Sequence, residues 1–253
     1  MRTTRKLTRE VRQATLANTF WKSQNGGGII SVNGVRYDNR VSRNGNTIVI
    51  HGGRTKGRAG CFLLLFEPDS TVTLQGMKQA PDCALDPGGS GRHMINAALK
   101  IAMQRHATQL TLSDISQKHL PSGKSFKLAD MYFMTTGKTW YETMIPGLQP
   151  ETKQDKIPIW REKVHTASWD TIESALREQV PDISIPVHVH DIDTSVPGTA
   201  MLVLSRIKDA QTEFFALYED ELINAFKIGS LFAITWAVSL TPPSAGPALR
   251  NPL

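Results

Sequence analysis

Two cysteines, Cys61 and Cys83, are all that the 253 residues contain. Two are too few for a disulfide framework, and neither belongs to a Cys-x-x-Cys pair, so the sequence predicts a reducing, intracellular setting. Long hydrophobic runs are also missing. The most apolar stretch near the C-terminus, Ile228 to Leu240, is too short to cross a bilayer and carries Ser230, Thr235 and Ser239. No apolar core follows the basic N-terminus, which argues against a secretory signal and predicts no membrane partner. Internal repeats and low-complexity tracts are absent.

Acidic residues are scarce in the first quarter of the chain. Residues 1–60 hold twelve Lys/Arg and two acids, a charge of +10, so the remainder carries −4 of the net +6. Such asymmetry suits a surface that meets nucleic acid non-specifically, an anionic cofactor or an acidic partner; a solvated basic face would look the same. Hydrophobic residues make up 40% of the chain, enough for the core of an α/β domain of ordinary size.

Apolar periodicity and turn residues outline the elements. A basic helix is expected over 4–21, stopped by Asn25-Gly26-Gly27-Gly28. Strands at Ile29–Val32 and Val35–Tyr37 flank the hairpin signal Asn33-Gly34, and Thr47–Ile50 follows Asn44-Gly45-Asn46. A Gly/Arg/Lys loop runs from His51 to Gly60. Cys61–Phe66 and Thr71–Leu74 form a hairpin across Pro68-Asp69-Ser70, and the continuous run of the first places it in mid-sheet. A helix over Arg92–His106 and a strand at Gln109–Leu112 come next, then a second helix from Lys127 to Thr136 stopped by Gly137. Pro146, Pro150 and Pro158 mark a boundary. Beyond it the pattern predicts a helix at Trp169–Gln179, strands near Ile185–Val189 and Ala200–Leu204, a helix from about Thr212 to Phe226, and a strand or helix over Leu231–Val238. The expected organisation is a basic arm (1–28), an α/β domain (29–150), a C-terminal α/β half (151–241) and a flexible tail (242–253).

Several short motifs carry chemistry. Asp86-Pro87-Gly88-Gly89-Ser90-Gly91 opens a helix, so amides from Gly89 to Arg92, with the Arg92 guanidinium, can cradle an anion such as a phosphate. The same glycines would equally serve a tight loop. Gly137-Lys138-Thr139 and Gly123-Lys124-Ser125 imitate the end of a P-loop, but the glycine required five residues earlier is Tyr132 in one and Lys118 in the other, which excludes that motif. Trp140-Tyr141-Glu142 reads as a packed corner or, alternatively, as a substrate contact. Asp114, just past a strand end, is placed for a general base or for a turn cap. His188-x-His190 on one strand face could offer two metal ligands, or simply face solvent.

A strand hairpin, Gly-x-Gly turn, helix, strand, polar residue and helix in this order resembles the acetyl-coenzyme A site of the GNAT-type N-acetyltransferases. Their turn is usually Gln/Arg-x-x-Gly-x-Gly/Ala; the last steps match here, and Asp86 stands at the first. The resemblance implies an α+β fold with a mixed, mostly antiparallel sheet and helices on both faces. It also implies acetyl-CoA bound by Gly89, Ser90, Gly91 and Arg92, an acyl group passed to an amine acceptor, and Tyr132 as acid toward the departing thiolate; on this layout Asp114 or a water would accept the amine's proton. The family's Gly-Phe after that tyrosine is here Gly137-Lys138, one residue late. Residues 85–147, with "LTLSD" and "FKLADMYFMTTGKTWYE", are similar to uncharacterised proteins of large DNA viruses. That likeness implies a host cytoplasm or virion location. It carries an alternative: a catalytically inactive structural or binding module whose contact surface is the basic residues 1–60.

Overall fold

The structure, a computed structural model, describes residues 27–32, 35–44, 47–52, 61–77 and 91–240. Several expected features lie outside these residues: the helix over 4–21, the turn residues Asn33-Gly34 and Gly45-Asn46, the loop from 53 to 60, Gly89 and Ser90, and the tail from 242. The described chain forms two compact units. One runs to Leu112 and resumes at Val238; the other is Ser113–Ala237. The fold class is α+β, with a mixed, mostly antiparallel sheet and seven helices among the described residues.

The first unit is built on β1 (Gly27–Val32), β2 (Val35–Asn44), β3 (Thr47–Gly52), β4 (Phe62–Phe66), β5 (Thr71–Met77) and β6 (Gln109–Ser113), hydrogen-bonded in chain order. The first five form an antiparallel meander, with Val32 opposite Val35 and Ile48 opposite Phe66. β4 lies in mid-sheet, as its apolar run predicts, with Phe62, Leu64 and Phe66 buried and Leu63 and Leu65 half-buried. Asp69 accepts the Thr71 amide at 2.9 Å, and Ser70 takes φ 66°, which closes the β4–β5 hairpin. Cys61, at the head of β4, is buried and disulfide-bonded, a bond that the expectation of a reducing compartment did not include.

Helix α1 (Arg92–Gln104) then carries the chain over to β6, which pairs with β5 in parallel from Thr71↔Gln109 to Leu74↔Leu112. Met94, Ile95, Ala97, Ala98, Ile101 and Ala102 are its buried face, the i, i+3, i+4 stripe visible in the sequence. Thr73 and Thr111 share a 3.0 Å hydroxyl contact across the parallel pair.

The second unit starts with the hairpin β7 (Gln117–His119) and β8 (Ser125–Lys127). Helices α2 (Leu128–Thr136), α3 (Trp140–Met144), α4 (Ile157–Thr166), α5 (Trp169–Gln179), α6 (Thr199–Ala210) and α7 (Glu213–Phe226) follow, with β9 (Gln149–Pro150) before α4. The last strand, β10 (Thr235–Ser239), pairs antiparallel with β9 through Trp236↔Pro150 and Ala237↔Gln149. The core holds Trp169, Phe126, Phe133, Phe215 and Trp236.

Two expected strands are corrected here. Ala200–Leu204 lies inside α6, because Ala200, Val203, Leu204 and Ile207 bury one helical face and Gly198, left-handed at φ 85°, supplies the N-cap. Ile185–Val189 forms no regular element: Pro186 has no N–H to give a ladder. The three prolines read as a boundary lie within the second unit, where Pro150 ends β9 and Pro158 occupies the first turn of α4.

Candidate functional site

Of the glycine turn expected to hold an anion, the structure describes Gly91 onward. Gly91 adopts φ 70° and caps α1, no described side chain caps the helix, and no acidic residue occupies its first turn. Arg92 follows it, exposed to solvent. Among the described residues no side chain takes the first amides, where the positive end of the helix dipole lies.

Asp114 is one residue beyond β6, in the second unit, and only 1% exposed. Its Oδ1 accepts the Ser116 amide at 3.1 Å, which forms an Asx turn. Its main chain is tied on both sides, with its N–H donating to Ile234 and its carbonyl accepting from Ala233. Ser116, half-buried, is the polar side chain that tempers the proton affinity of both the Asp114 carboxyl and the Tyr141 phenol. Burial pushes the Asp114 carboxyl up to about 6, held back by the Ser116 bonds and assisted by the nearby Asp130. Burial, with the Asp114 charge beside it, pushes the Tyr141 phenol up to about 12. A carboxyl with that affinity accepts protons near neutral pH, and the half-buried Ser116 is its polar neighbour.

Asp130, buried on α2, accepts the Ser230 hydroxyl at 2.6 Å and the Leu231 amide. Burial raises its affinity for a proton against the pull of those bonds and of Lys127. The carboxylate thus fixes the 230–231 turn, where two donors would otherwise be stranded.

Tyr132 lies elsewhere on α2, half-buried, with the Lys208 ammonium 5.8 Å from its ring centre. The tyrosine that the structure brings to Asp114 is Tyr141. Gly91 and Arg92 are consecutive at the head of α1, in the first unit. The sequence contains a signal for Ser116, an Asp followed two residues later by a turn serine, whereas Tyr141 reads simply as part of an aromatic corner.

That corner is built for support. Gly137 ends α2 in the left-handed region, φ 71°. Thr139, fully buried, and Glu142 form a reciprocal capping box at the start of α3, with amide-to-side-chain distances of 3.2 and 2.8 Å. Arg161 of α4 clamps both ends, reaching the Gly137 carbonyl at 2.8 Å and Glu142 at 2.6 Å, with its guanidinium 5.9 Å from the Phe133 ring centre. The Trp140 and Tyr141 rings meet edge to face at 5.0 Å. Gly123-Lys124-Ser125, the other P-loop mimic, is the β7–β8 turn, with Gly123 at φ 81°.

His188 and His190 stack with ring centres 5.9 Å apart in a segment without strand structure, and Arg206 holds Asp191 through two bonds of 2.7 and 2.8 Å. Among the described residues no group of three or more His, Cys, Asp or Glu could hold a metal ion. Among them, too, no helix is long and apolar enough to cross a membrane. Comparison with protein-family models, with curated proteins and with solved structures finds no match for this chain.

Proposed function

We propose that the chain is an acetyl-CoA-dependent N-acyltransferase of GNAT type, passing an acyl group to an amine. One observation carries the reading: β5 and β6 are parallel and joined through α1, and β6 pairs with β5 only as far as Leu74, whereas β5 runs on to Met77. In α/β sheets, ligands gather beyond the carboxyl ends of such strands, beside the N-terminus of the connecting helix. The cofactor pyrophosphate would take the amides from Gly89 to Arg92 and the Arg92 charge.

The amine attacks the thioester carbonyl. Its proton passes to the Ser116 hydroxyl as Ser116 gives its own to Asp114, so the carboxyl buried under the turn acts through the serine in front of it. The coenzyme A thiolate leaves, and Tyr132 protonates it, the task the family resemblance gives that residue.

Calorimetric titration of acetyl-CoA tests the cofactor. The expected result is micromolar binding, weakened at least about tenfold by Arg92→Glu, since a charge-assisted contact to phosphate becomes a repulsion. Absence of heat at millimolar acetyl-CoA removes the reading.

The closed environment of Asp114 favours a second reading, a module that binds without turnover through residues 1–60. Nucleic-acid affinity falling steeply with added salt supports it, and no binding at low salt removes nucleic acid as the partner.

A further inference from the structure

The segment between α5 and α6 carries the paired histidines, outside the site described above. It forms neither strand nor helix, yet it is held at several points. Ile183 is buried, and its carbonyl accepts Arg177 of α5 at 3.3 Å. The Ile192 amide donates to the Val189 carbonyl at 2.9 Å, which closes a turn around His190 and Asp191. Arg206 of α6 pins that turn through its two bonds to Asp191. Further on, the Thr194 carbonyl accepts the Asp170 amide and the Thr199 hydroxyl, each at 3.1 Å. His190 therefore sits in an anchored turn, with His188 two residues before it, and both are exposed.

The two rings have centres 5.9 Å apart and planes 20° apart. A zinc–nitrogen bond of about 2.0–2.1 Å puts each ligating ring centre roughly 3.2 Å from the ion. Two rings on one ion then lie about 5.2 Å apart at the tetrahedral angle and roughly 6.4 Å apart when opposed. The observed spacing falls inside that range. Rotation about exposed side-chain bonds, with no movement of the main chain, turns one nitrogen of each ring onto a shared ion. Nearby charge is balanced, because Asp191 lies beside His190 and offsets Arg206. Asp193 is engaged by the Ser195 amide at 3.2 Å and the Ser195 hydroxyl at 2.6 Å. Imidazole is thus the ligand that this turn offers.

We propose that His188 and His190 form a two-histidine site for a divalent transition-metal ion of the zinc type, with water filling the remaining positions. Neutral imidazoles suit zinc, nickel and copper, whereas magnesium and calcium seek oxygen. Anchoring both ligands in one short segment lowers the freedom lost on binding. Two protein ligands leave positions open to exchange, unlike the closed four-ligand sites that hold a fold together.

Calorimetric titration of zinc chloride into the full chain, prepared without a polyhistidine tag, tests the site. One ion per chain is expected, with affinity lowered at least about tenfold by His188→Ala or His190→Ala. Magnesium chloride should give no binding heat. Imidazole NMR of the unaltered protein should show the His188 and His190 signals moving together as zinc is added, ahead of the other five histidines. No heat at millimolar zinc overturns the proposal. So does binding that survives replacement of both histidines, or a zinc response that spares the His188 and His190 signals. The NMR readout needs no variant, so a substitution that harmed folding would leave the test standing.

Discussion

Gly137 shows how one residue's backbone decides more than its surroundings. A β-carbon there would sit 2.4 Å from the His165 imidazole, yet His165 is exposed and its ring can swing aside. The φ of 71° cannot be relieved in that way. Gly137→Ala should therefore cost about 1–2 kcal/mol, the left-handed penalty of an L residue, and His165→Ala should not recover it. Thermal melting of the single and double variants checks this; full recovery would make the contact, and not the backbone, the cause. Gly137 was legible as a helix stop because the requirement is local. Asp114 was legible as a residue just past a strand. Its partnership with Tyr141 was not, since 27 positions separate the two in sequence and only tertiary packing brings them to the same serine.

At the scale of elements, the string Gly137 to Glu142 is an architectural joint. Its glycine stops α2, its threonine and glutamate start α3, and Arg161 braces both. Thr139→Ala removes the cap and should lower stability by about 1–2 kcal/mol, with Thr139→Ser retaining most of it. Denaturant unfolding of both variants measures the difference; equal losses would mean that the methyl, not the hydroxyl, matters. Helices with a one-sided apolar stripe were readable from sequence, and α5 follows its expected span, Trp169 to Gln179. Residues 200–204 failed as a strand because a short apolar run has no period of its own. Its burial at three- and four-residue spacing emerges only over the whole of α6. Asp130 was overlooked for a related reason: a single carboxylate in an apolar helix reads as surface until its partners at 230 and 231 are known.

At the scale of the molecule, Asp114, Asp130 and Glu219 all bind protons more tightly folded than ordinary carboxyls do. Each contributes stability that is complete below the unfolded carboxyl range and is lost as pH climbs through its folded value. The window follows from Asp114 near 6 and Glu219 near 7. The melting temperature should fall from pH 5 to pH 7.5, by roughly 2–4 °C for each kcal/mol withdrawn, and then level off. A melting temperature that rises over that interval would mean that these carboxyls are ionised at no cost. All three belong to Ser113–Ala237, which is contiguous in sequence, whereas the other unit is assembled from both flanks. The segment's two ends also meet: Ser113 and Thr235 lie 3.3 Å apart through their hydroxyls, and Asp114 exchanges main-chain bonds with Ala233 and Ile234. In genetic terms it is a cassette, interrupting its host between residues 112 and 238 at the cost of one short gap. Residues 113–237 produced alone should fold and keep the acid-favoured melting profile, and a host chain closed by a few residues across 112 and 238 would have lost it.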